Sequence, residues 1–131
     1  MSERGYAPIT VIPLLKAKTL SAGDSATSDP IDLRESVKLG VFSISYSATL
    51  GTAGTLGTST FTYLGCPTHG GEYVCPAGTV GNSIGSCGTG GTKGIMAFKP
   101  ELMPFMKIVT TQEGTGNAGK DSVITAELIV Q

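Results

Sequence analysis

The stretch Leu39-Gly40-Val41-Phe42-Ser43-Ile44-Ser45-Tyr46 decides the fold. Phe42, Ile44 and Tyr46 alternate with Ser43 and Ser45, a period of two that places the large side chains on one face of an extended chain and the hydroxyls on the other. Residues 59–64 repeat the device, with Phe61 and Tyr63 set against Thr60 and Thr62.

Strand-like segments continue in both directions. Pro8-Ile9-Thr10-Val11-Ile12-Pro13-Leu14-Leu15 is apolar and bracketed by prolines, which do not donate to a central ladder. It reads equally as an edge strand and as an extended arm, the arm reading resting on Pro8, Ile9, Val11, Ile12, Pro13 and Leu14. Ser21-Ala22-Gly23-Asp24-Ser25 is a turn cluster. After Pro30, Ile31 and Leu33 alternate with Asp32 and Arg34 as in a half-buried strand. Residues 95–98 and 105–110 read as strands, and residues 100–104 as a single helical turn opened and closed by proline. Residues 123–130 are apolar on nearly both faces, which demands a central or covered strand.

Between these segments lie glycine-rich stretches. Gly51, Gly54 and Gly57 punctuate a loop over residues 48–58, and residues 112–120 form another. Residues 65–94 contain 10 glycines in 30 positions together with all three cysteines and the only histidine. They read as one long decorated loop with a short strand at Glu72-Tyr73-Val74. The expected fold is therefore all-β: an antiparallel β-sandwich or jelly roll of about seven to eight short strands with long glycine-rich loops. It forms one domain over residues 1–131, with residues 1–20 as the candidate arm.

Composition agrees and removes whole classes of function. The 17 Thr, 12 Ser and 19 Gly favour strands and turns over a helical bundle. Ten acidic and nine basic residues leave a net charge of -1, without the Lys and Arg surplus that nucleic-acid binding requires. No apolar run approaches the roughly 20 residues of a membrane helix. The opening Met1-Ser2-Glu3-Arg4-Gly5-Tyr6 lacks the basic and apolar segments of a secretory signal, so the expectation is either synthesis in the cytoplasm or export by a route the sequence does not display. Charged residues are only 15% of the chain, which protects a free surface poorly and suits a subunit held inside an assembly.

Little of the sequence suggests catalysis. His69 is the sole candidate base and has no acidic neighbour except Glu72. Lys93 ends a glycine-rich run, but no long helix follows to form a phosphate-binding loop. The carboxylates are scattered, without the pairing that glycoside hydrolysis or calcium binding needs. Cys66, His69, Cys75 and Cys87 form a candidate Cys3His zinc set in which only the first gap is compact. A Cys66–Cys75 disulfide across a small hairpin is one alternative, and reduced thiols are another. The eight aromatic residues fall at strand spacing and read as core. No enzymatic activity and no cofactor are expected.

Two parts of the chain carry a family resemblance. The first is Ser28-Asp29-Pro30-Ile31-Asp32-Leu33-Arg34 followed by Gly40-Val41-Phe42-Ser43-Ile44. The second is residues 98–108 with the closing segment Val123-Ile124-Thr125-Ala126-Glu127-Leu128-Ile129-Val130-Gln131. Together they resemble small virion structural proteins of tailed bacteriophages, some of which decorate or cement the head. The resemblance implies a protein of the capsid surface, made in the host cytoplasm. Its partners would be the major capsid protein and other copies of itself, expected as a homotrimer, with neither nucleic acid nor membrane. Competing readings are a receptor- or glycan-binding module and a subunit of a tail tube or filament.

Overall fold

The computed structural model describes residues 8–21, 23–35, 37, 39–50, 58–68, 70–75, 83–87, 93–100, 102–113 and 121–131. They form an all-β molecule of two antiparallel sheets, and no helix occurs among them. The strands are β1 (Thr10–Ser21), β2 (Ser25–Thr27), β3 (Ile31–Asp32), β4 (Phe42–Leu50), β5 (Ser59–Cys66), β6 (Ser83–Cys87), β7 (Lys93–Phe98), β8 (Phe105–Gln112) and β9 (Asp121–Val130). One sheet runs β1-β9-β4-β7. The other runs β2-β8-β5-β6, with β3 beside β2 on the same edge of β8.

The period-two patterns build one core shared by both sheets. Phe42, Ile44 and Ala48 of β4 and Ile124, Ala126, Leu128 and Val130 of β9 face Phe61 and Tyr63 of β5 and Met106 and Ile108 of β8. Aromatic rings tie the layers together. Phe98 of β7 lies 5.5 Å from Phe42 within its own sheet and 6.1 Å from Tyr63 of the other, and Tyr46 lies 6.2 Å from Phe61. Such tilted pairs contribute about 0.5–1.5 kcal/mol each beyond area burial. A polar chain also crosses the interior. The Ser59 hydroxyl donates to Gln112 Oε1 at 2.6 Å, and Gln112 Nε2 donates to Ser122 Oγ at 3.1 Å. All three residues are buried, and the chain links β5 and β8 to β9 of the opposite sheet.

Several elements differ from the sequence expectation. β1 continues to Ser21, and β2 and β6 are additional strands. β6 interrupts the stretch expected as one loop over residues 65–94. At Glu72-Tyr73-Val74 only a single bridge forms, between Gly65 and Val74. The strand at residues 31–34 stops after Asp32, because the Asp32 carboxylate accepts from the backbone N–H and the guanidinium of Arg34 and turns the chain. The helical turn over residues 100–104 is absent among the described residues. Met103 precedes Pro104, whose ring disfavours a helical conformation there, and the Pro104 carbonyl accepts instead from Leu33 N–H at 2.8 Å. Of the loops expected over residues 48–58 and 112–120, residues 48–50 extend β4 and Gln112 ends β8, while residues 51–57 and 114–120 lie outside the described residues, as does Glu101.

Candidate interaction surfaces

Residues 10–14, the heart of the candidate arm, lie in β1 at the edge of its sheet, paired with β9 from Thr10–Val130 through Pro13–Glu127. Pro8 and Ile9 precede the strand. Prolines are compatible with this edge, where one side of the backbone has no ladder to feed. Ile12 and Leu14 pack partly against the core, while Ile9 and Val11 are 62% and 52% exposed. Beside this strand, Ile12, Pro13 and Leu14 line a groove with Asp29, Pro30 and Ile31.

The cysteines divide between two environments. Cys66 and Cys75 both stand as free thiols, so of the three alternatives the structure holds no Cys66–Cys75 disulfide. Cys66 ends β5 with its side chain buried, and its thiol donates to the Thr68 carbonyl at 3.0 Å; Cys75 follows the Val74 bridge and is exposed. Near Cys66, Lys107 stands 4.4 Å over the Tyr73 ring. Burial raises the Tyr73 phenol above its ordinary pKa, and the charge of the Cys66 thiolate adds to the effect. His69 and the Cys87 side chain, half of the candidate zinc set, lie outside the described residues. Among the described residues no group of three His, Cys, Asp or Glu side chains could hold a metal.

The outer surfaces of the two sheets differ in chemistry. On the β1-β9-β4-β7 sheet, the strand register aligns Val11, Ile129, Ser43 and Ala97 in one row, and Pro13, Glu127, Ser45 and Ile95 in the next. Ile95 is 70% exposed, and Leu39 and Val41 are also exposed beside the end of β7. On the opposite sheet the register aligns Ser25, Thr111, Thr60 and Ser86, then Thr27, Val109 and Thr62. This second surface is mostly hydroxyl. Sequence reasoning located the alternating strands but missed this division, because it depends on which strands become neighbours. Comparison with protein-family models and with curated proteins returns no match.

Proposed function

We propose that this chain is a non-enzymatic virion structural protein of a tailed bacteriophage, and that it decorates or cements the capsid by bridging neighbouring capsid subunits. The reading takes the two sheets as a jelly-roll sandwich. Strand pairing supports that assignment. With β2 and β3 counted as one interrupted strand, the first strand pairs with the last, the second with the seventh, the third with the sixth and the fourth with the fifth. That is a long hairpin folded over on itself, the arrangement of a double Greek key.

The observation that carries the functional reading is the contrast between the outer surfaces. Single exposed apolar residues are ordinary, whereas a cluster of them on one face marks an interaction site. Ile9, Val11, Val41 and Ile95 all lie on or beside one sheet, whereas the aligned rows of the other are mostly hydroxyl, with the exposed Val74 bridged to Gly65 at its edge. A subunit with one adhesive face and one wetted face fits a decoration protein seated on a shell. On this reading its partners are the major capsid protein and further copies of itself.

The test is co-sedimentation with isolated heads of the encoding phage, followed by heating of the decorated heads. The protein is expected to bind the heads and to raise their resistance to heat. Val11→Lys should abolish binding, and Thr60→Lys on the opposite surface should leave it intact. Indifference to heads combined with binding to cells or glycans would replace the proposal with the receptor-binding reading. Polymers of uniform width would replace it with the filament reading.

A further inference from the structure

We propose that β7 is a self-association edge, through which two copies of this chain pair β7 to β7, antiparallel about a two-fold axis, and continue the β1-β9-β4-β7 sheet across the contact. The argument begins with the four sheet edges. β1 carries two register shifts, each inserting one extra residue relative to β9, and has Pro13 in its length. The edge formed by β2 and β3 is broken at Ser28-Asp29-Pro30. β6 is bulged, since Phe61 opposes Gly85 and Thr62 opposes Ser83, leaving Ile84 as the extra residue. Bulges, prolines and very short strands are the devices that keep an edge from pairing with another chain.

Edge lysines belong to the same set of devices, and of the whole set β7 has only Lys93, at its first residue. Its register with β4 runs without a shift from Phe42–Phe98 to Ser47–Lys93. Among the described residues it has a strand neighbour on one side only. It contains no proline, and its most prominent outward side chain is the 70% exposed Ile95.

The same inventory selects the occupant. Head-to-tail association within this sheet would require β7 to pair with β1, whose bulges spoil the ladder. A β7–β7 contact needs only the intact edge and closes on itself. A two-fold axis perpendicular to the sheet keeps outward residues opposite outward residues, so two registers are available near the strand centre. One places Met96 on its symmetry mate, which sets Lys93 against Lys99 at both ends. The other places Ile95 on Ile95 and Lys93 against Ala97, and thus removes the like-charge contacts. The second is the assigned register.

Light scattering and disulfide trapping test the proposal together. The wild-type chain should have twice the 13.3 kDa monomer mass, and Ile95→Lys should halve it with an unchanged circular dichroism spectrum. Directly opposed residues have Cα atoms about 4.5–5.5 Å apart, within disulfide reach. Ile95→Cys in a Cys75→Ser/Cys87→Ser background should therefore oxidise to a covalent dimer, and Val11→Cys in the same background should not. A monomeric wild type, a trimer, a dimer insensitive to Ile95→Lys, or trapping at Val11 in place of Ile95 would each overturn the contact. Head binding is read separately, so this inference and the capsid proposal can fail independently.

Discussion

Ser28 illustrates how much one hydroxyl can hold. The chain breaks between β2 and β3, where three residues of one side oppose two of β8. Such a break threatens to leave the buried Ile108 N–H without an acceptor. Ser28 Oγ accepts from it at 2.9 Å and donates to the Asp29 carbonyl at 3.0 Å, while Ser28 N–H donates to the Ile108 carbonyl. Removing one partner of a buried bond leaves the other desolvated and unpaired, which costs about 1–3 kcal/mol. Ser28→Ala is expected to lower unfolding stability by that amount in urea titration, with little change in the slope. The local sequence Ser28-Asp29-Pro30 reads as an ordinary turn. Its role depends on a residue 80 positions away, so no short-range reading reaches it.

At the scale of elements, β1 shows why strand boundaries were hard to read. Its apolar run ends at Leu15 and gives way to Lys16-Ala17-Lys18-Thr19. The two extra residues shift which side chains face inward, so a strict period of two fails although the ladder continues to Ser21–Asp121. Ala17 lies within the second irregularity at a φ of 50°, a left-handed conformation that favours glycine. Ala17→Gly should raise the melting temperature by relieving up to about 1 kcal/mol of strain, with the entropy of the unfolded chain offsetting part of the gain. A glycine substitution at the neighbouring exposed Thr19 should lower it. β5, β8 and β9 were legible because their burial keeps an unbroken alternation over most of their length. β6 was not, since Ser-Ile-Gly-Ser-Cys carries almost no apolar signal. A side chain at Gly85 would meet the sulfur of Met96 on β7, whose flexible chain would have to shift. The candidate site was less legible than the fold. Val11 could be listed from the sequence, but its alignment with Ile129 and Ala97, one row from Ile95, is a product of strand order.

For the whole molecule, the dominant pairings join distant parts of the chain: Thr10 meets Val130, and Phe42 meets the same residue from the other side. Folding governed by such non-local contacts is slow, in the range of milliseconds to seconds for sheets of this kind. Stopped-flow refolding should show this phase and no dominant microsecond event. The outer row of Val11, Ile129 and Ala97 is assembled only when these long-range ladders close, so a chain lacking residues 121–131 should lose cooperative unfolding altogether and not merely some stability.

The position of β9 between β1 and β4 has a consequence for biosynthesis. During translation β1 and β4 emerge early, yet the strand that must lie between them is made after all the other strands described above. Until β9 has left the ribosome, their inward apolar rows have no shared neighbour, and the nascent chain has to wait with half its interior unsealed. Chaperones, or slow translation of the β9 codons, would matter more for the yield of this protein than for one whose adjacent strands are also adjacent in sequence.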